Sequence, residues 1–256
     1  MAEHFVEGPG GRRFVRTWGP RGDRAPILLF HDSLGSVALW RDFPDQLAQA
    51  SGRQVIAYDR LGFGRSDPHP GQLDVGFVRD EAVGSLPALQ AALDLDRLVL
   101  FGHSVGGGMA ICAAAAAPES AAAVITESAQ AFVEDRTLQG IRGAKAAFAE
   151  PGQLERLARH HGDKAAWVLE AWTGTWLSPA FADWRLDEEL RRLSCPVLAV
   201  HGDRDEFGSH AHPERIASLA PKGELVLFDD CGHVPHREAP ERVLAVVRPF
   251  LERLPA

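Results

Sequence analysis

Six short stretches of the chain are apolar almost without interruption: APILLFH (25–31), QVIAYD (54–59), RLVLFGH (97–103), AAVITES (122–128), CPVLAVHGD (195–203) and ELVLFDD (224–230). Runs of this length without alternation predict strands buried on both faces, separated by longer stretches of helical character. Strands alternating with helices predict an α/β fold with a mostly parallel central sheet. Residues 3–18, EHFVEGPGGRRFVRTW, instead predict an antiparallel hairpin with the glycines at its turn, so the sheet is expected to be mixed at one edge.

The rhythm breaks between residues 131 and 190, where helical periodicity continues with no convincing strand. This predicts a body made of residues 1–130 and 191–256, with 131–190 inserted between two strands as a helical cap over the sheet's carboxyl edge. Four of the six tryptophans, Trp167, Trp172, Trp176 and Trp184, fall in the insertion. Aromatic side chains bury large areas wherever they occur, so these either wall a pocket or fix the insertion to the body. The alanine run 113–117 predicts a helix that lies close under the sheet.

Composition removes several classes. The chain has 256 residues, enough for a substantial core, and a net charge of −8 offers no positive field to a nucleic-acid backbone. MAEHFVEGPGGRRF has no basic stretch followed by an apolar core, so no secretory signal is expected, and MAICAAAAAP is too short to span a bilayer. Cys112, Cys195 and Cys231 form no CxxC pair, which suits a reducing cytoplasm. No phosphate loop or dinucleotide fingerprint is present, so no cofactor is expected. SHAHP (209–213) and RHHGD (159–163) lack the spacing of a metal site and are expected to carry exposed polar histidines.

Gly102-His103-Ser104-Val105-Gly106 fits G-x-S-x-G between a predicted strand and a predicted helix, the setting of a serine held on a sharp turn as a nucleophile. A serine hydroxyl needs a base, and the base needs an orienting group. HGDRDEF (201–207) and DDCGHVPH (229–236) each follow a predicted strand and supply Asp203, Asp205 and His233. Glu127, ending the strand AAVITE, is a further candidate acid or pocket residue, and His236 is expected at the surface. The second glycine cluster, DRLGFGRSD (59–67), is expected to form a tight surface turn.

With these blocks in order, the chain resembles the α/β-hydrolase fold superfamily over nearly its whole length. HDSLGS resembles the HG-x-x-G loop, DRLGFGRSD the D-x-x-G-x-G-x-S signature, and GHSVGG the nucleophile elbow, while CPVLAVHGDRDEF and CGHVPHREAPERV resemble the acid and histidine blocks. Within that superfamily it is most similar to capped esterases and lactonases of the 3-oxoadipate enol-lactonase and carboxylesterase kind. The resemblance implies a cofactor-free serine hydrolase of a small ester-like substrate (ester, thioester or lactone), with Ser104 as nucleophile and His233 as base. The family spacing G-x-x-D from Gly202 selects Asp205 over Asp203 as the orienting acid.

The same resemblance assigns the oxyanion hole to the backbone N–H groups of Ser33 and Val105. Leu34, Glu127, Trp172 and Trp176 are expected to line the pocket. One departure stands out: Asp32 occupies the place of the usual glycine after the loop histidine, which brings a carboxylate to an oxyanion loop. Two other functions use the same triad, cleavage of a carbon-carbon bond in a diketone and ligand sensing. Dehalogenase chemistry is disfavoured, because it needs a carboxylate at the elbow. Arg136, Arg142, Lys145, Arg156, Arg159 and Lys164 make the insertion locally basic, either to attract an acidic substrate or as a solvated helix face.

Overall fold

A computed structural model describes residues 1–255. The first two strands, β1 (Ala2–Gly8) and β2 (Gly11–Trp18), form the expected antiparallel hairpin, and Gly10 and Gly11 at its turn have φ of 80° and 142°. The rest of the sheet comprises β3 (Ile27–Phe30), β4 (Val55–Tyr58), β5 (Leu98–His103), β6 (Ala121–Glu127), β7 (Val197–Gly202) and β8 (Gly223–Phe228). Its order is β1-β2-β4-β3-β5-β6-β7-β8, and every pair from β4 onward is parallel.

Alternate residues of the central strands face two separate cores, which is why these strands read as unbroken apolar runs. On one face Leu28 and Phe30 pack with side chains of α2 (Phe77–Leu93) and α3 (Val105–Ala116). On the other, Ile27 and Leu29 pack with α1 (Phe43–Ser51) and α10 (Pro240–Glu252). Ala110, Ala113, Ala114 and Ala115 of α3 are almost fully buried, so the helix lies tight against the sheet. β8 departs from the expectation of burial on both faces: as the outer strand it leaves Leu225 and Leu227 exposed.

Between β6 and β7 lie α4 (Asp135–Phe148), α5 (Gln153–His161), α6 (Ala165–Trp176) and α7 (Asp187–Arg192). A small apolar cluster of Leu157, Ala165 and Val168 from this insertion with Phe63 docks it on the loop after β4. Because β3 and β5 to β8 are parallel, the loops that follow them meet at one edge, beneath the insertion. The chain closes with α8 (Ala211–Leu219) before β8, and α9 (Pro235–Glu238) before α10. Among the described residues no helix is long and apolar enough to cross a membrane.

Candidate active site

Ser104 sits between β5 and α3 with φ 55° and ψ −128°, a conformation that side chains rarely adopt and that costs about 1–3 kcal/mol. Its neighbours explain why the turn can form. A Cβ on Gly102 would lie 2.0 Å from the Gly106 carbonyl oxygen, and a Cβ on Gly106 would lie 2.2 Å from that of Phe30. Only glycine fits either place. The turn is then pinned by the Ser104 N–H donating to the Glu127 carbonyl (2.8 Å) and the Gly107 N–H to the Ser104 carbonyl (2.9 Å).

The loop after β7 carries Asp205, which is almost fully buried. Its Oδ1 accepts from the N–H groups of Phe207 (2.7 Å) and Gly208 (3.1 Å), and both oxygens meet His233 Nδ1, at 2.8 and 2.9 Å. Burial opposes charge on either partner, but the hydrogen bond and charge between them outweigh it. The His233 pKa is therefore held above the ordinary imidazole value and that of Asp205 below the ordinary carboxylate value. With Nδ1 engaged, His233 has Nε2 free for chemistry. Asp203 instead accepts only a 3.2 Å bond from the Cys231 N–H.

Ser104 and His233 line one cleft of about 180 Å³. Leu34, Ile141, Trp172, Trp176, Phe207 and Val234 form its apolar wall, and Asp32, Ser33, Gln130, Thr137 and Glu206 its polar part. The Ser104 hydroxyl donates to Gln130 Oε1 at 3.3 Å. Hollows of about 250 and 270 Å³ lie elsewhere, but neither contains a serine beside a carboxylate-paired histidine, so size does not locate the site.

The loop after β3 is fixed through one atom. The Asp32 carbonyl accepts from His31 Nδ1 (2.8 Å), Arg60 Nη2 (2.8 Å) and the Gly35 N–H (3.2 Å), which holds the backbone leading into Ser33. Val105, the first residue of α3, presents the helix's N-terminal end beside Ser104, where unpaired N–H groups gather.

Residues 25–240 match the family described as the alpha/beta hydrolase fold. The chain belongs to this family. Proline iminopeptidase of Heyndrickxia coagulans is 25% identical over 291 residues, spanning 98% of this chain and 99% of its own. Among solved structures, a thermophilic esterase from Thermogutta terrifontis superposes with a TM-score of 0.76 at 22% identity, covering 99% of each chain. The enol-lactonase of Burkholderia xenovorans LB400 does so with 0.76 at 19%, covering 98% of this chain and all of its own. At such identities the structural likeness speaks for the fold.

This alpha/beta hydrolase departs from the sequence reading at several places. Glu127, expected in the pocket, is completely buried and does not line it, because it ends a central strand with its carboxylate turned to His236. His236, expected at the surface, is buried too, with Nδ1 2.5 Å from Glu127 Oε2 and its ring 4.6 Å from that of Trp40. His103 Nε2 donates to the His233 carbonyl at 2.8 Å, tying the elbow to the histidine loop. Burial pushes Glu127 up to about 7, His103 down to about 4 and His236 down to about 3, in each case toward the neutral form. His103, Glu127 and His236 also bring their ligand-type atoms within 4.8 Å of one another, yet hydrogen bonds already engage all three side chains.

DRLGFGRSD is a buried scaffold rather than a surface turn. Asp59 accepts from the N–H groups of Val37 (2.6 Å) and Arg65 (2.7 Å), locking the loop after β3 to the loop after β4. The histidines expected to be exposed divide. His210 is exposed and His160 half-buried, but His161 and His212 are buried. His161 accepts from the Gly64 N–H (2.9 Å) and donates to the Leu34 carbonyl (3.0 Å), and His212 donates to Glu134 (2.9 Å). Each finds two partners, which removes the cost of burial.

Trp172 and Trp176 line the cleft, whereas Trp167 stacks on His69 and Trp184 packs in the main core. None of the six basic residues Arg136, Arg142, Lys145, Arg156, Arg159 and Lys164 lines the cleft. Five are exposed, and Lys164 donates to the Gly64 carbonyl. Sequence reading missed Gln130, Thr137, Glu206 and Phe207, which become neighbours only when the insertion folds over the loop after β7. All three cysteines are free and buried.

Proposed function

We propose that this protein hydrolyses carboxylic esters, with thioesters and lactones as chemical equivalents, through an acyl-enzyme on Ser104. The observation that supports it is the strained elbow serine sharing one apolar cleft with a histidine whose other ring nitrogen is held by a buried carboxylate.

Ser104 leaves its resting bond to Gln130 by rotating about χ1, and its oxygen attacks the ester carbonyl while His233 Nε2 takes the proton. Asp205 keeps the neutral ring protonated on Nδ1 and stabilises the imidazolium that forms. The developing oxyanion is met by the N–H groups of Ser33 and Val105, already fixed in place by the bonds to the Asp32 carbonyl and by α3. His233 then protonates the departing alkoxide, the carbon-oxygen bond breaks, and the acyl-enzyme remains. Water, deprotonated by His233, repeats the sequence and releases the acid. The insertion acts as a cap, with Trp172 and Trp176 shielding the acyl group from solvent.

A series of p-nitrophenyl esters from acetate to octanoate tests the proposal. Turnover that disappears in Ser104→Ala, with unchanged thermal unfolding, is the expected result. Turnover that survives in Ser104→Ala refutes it.

A further inference from the structure

The cleft is uneven in charge. Its lining contains two carboxylates, Asp32 and Glu206, and no lysine or arginine. Among the described residues neither carboxylate accepts a hydrogen bond or forms an ion pair. The Asp32 side chain instead folds over Gly35, where a Cβ would lie 1.9 Å from its Oδ1, and Glu206 is exposed at the end of the loop that carries Asp205. The guanidinium groups whose fields reach Asp32, Arg60 and Arg237, donate to the Asp32 and Leu39 carbonyls and do not line the cleft. The remaining wall is aromatic and aliphatic.

We propose that Asp32 and Glu206 make this cleft select by charge: it takes esters whose acyl and alcohol parts are neutral or cationic and rejects those that carry a carboxylate or phosphate. The proposal rests on the ester-hydrolase reading for its turnover arm. It also gives Asp32 a role that its position in an oxyanion loop would otherwise make a liability. Its backbone carbonyl orders the loop while its side chain screens the substrate.

The size of the effect follows from the dimensions. A cavity of about 180 Å³ is roughly 7 Å across, so any substituent inside lies within about 7 Å of the wall. At that distance and an effective dielectric of about 35, one carboxylate disfavours an anionic group by roughly tenfold relative to a neutral one. Two give roughly a hundredfold, and salt weakens both.

The test uses three stable aryl acetates: 4-acetoxybenzoate, its methyl ester, and 4-(trimethylammonio)phenyl acetate. Rates are normalised to alkaline hydrolysis. Wild type is expected to prefer the neutral ester over the anion by about a hundredfold in kcat/KM, and the cationic ester over the anion by more than that. Asp32→Asn and Glu206→Gln should each return about tenfold, and 0.5 M NaCl should shrink the ratio in wild type but not in the double variant. Ratios that do not change across the variants overturn the proposal. Glu206 is exposed, so its variant is informative even if Asp32→Asn folds poorly. A separate arm needs no turnover: calorimetric binding of 4-hydroxybenzoate and 4-(trimethylammonio)phenol to Ser104→Ala. Tighter binding of the cation by about a hundredfold or more supports charge selection, and equal affinity overturns it. Absence of turnover on all three esters, with the binding preference intact, would refute only the hydrolase reading.

Discussion

Replacing Asp205 by asparagine exchanges one carboxylate oxygen for an amide nitrogen, and the structure dictates where that nitrogen goes. Oδ1 must stay an oxygen, because it accepts from the Phe207 and Gly208 N–H groups. The new amide nitrogen therefore takes the place of Oδ2, 2.9 Å from His233 Nδ1 and 3.4 Å from His201 Nε2, which already donates to the Gly208 carbonyl. A donor then faces His233 Nδ1 beside an Oδ1 that is already shared with two N–H groups, so the neutral ring is no longer held protonated on Nδ1 and its proton shifts toward Nε2. In the proposed mechanism Nε2 is the atom that accepts the proton of Ser104. The wrong tautomer and the lost stabilisation of the imidazolium together cost about 10⁴ in kcat, or about 5 kcal/mol. Asp203→Asn keeps an oxygen that can accept the 3.2 Å bond from the Cys231 N–H and should stay within about threefold of wild type. The assay is kcat/KM on one p-nitrophenyl ester, with thermal unfolding to show that both variants fold. Equal losses in the two variants, or a loss below tenfold in Asp205→Asn, would refute the assignment of the orienting acid.

Other consequences are accessible to simple measurements. Because Asp205 raises the His233 pKa, activity should disappear as pH falls through a value above 6.5, and in Asp205→Asn the remaining activity should extend to lower pH. A limb that does not move separates Asp205 from that titration. His161 is buried as an acceptor and its pKa is pushed down to about 4 from 6.5, so the unfolded chain binds its proton first. Stability should fall by about 3 kcal/mol from this group as pH drops from 6.5 to 4, and His161→Asn should flatten the slope by about one proton in urea unfolding. Gly106→Ala should yield no folded protein, since the methyl would lie 2.2 Å from a backbone oxygen. Gly143→Ala, on the open face of α4, should add about 0.5–1 kcal/mol.

What the chain discloses in its sequence depends on whether a feature is local. Strands β3 to β7 are visible because each is buried on both faces, so no polar alternation interrupts them. The elbow is visible because its constraint lies within five residues, where only glycine can flank Ser104. Glu127 and His236 are 109 residues apart, and nothing near either one signals a buried pair. His161 and His212 misled for a related reason: histidine looks polar in sequence, and its burial rests on backbone partners supplied by distant loops, Gly64 and Leu34 for one and Ala131 for the other. Glu206 is adjacent to Asp205, yet its place in the cleft depends on the insertion folding across β7.

If Ser104 is an armed nucleophile, a fluorophosphonate labels it, and intact mass after incubation reads that label without any choice of substrate. A single phosphonyl adduct is expected on wild type, none on Ser104→Ala, and far slower labelling on Asp205→Asn. An unmodified wild type, or an adduct that persists in Ser104→Ala, would show that Ser104 is not the nucleophile.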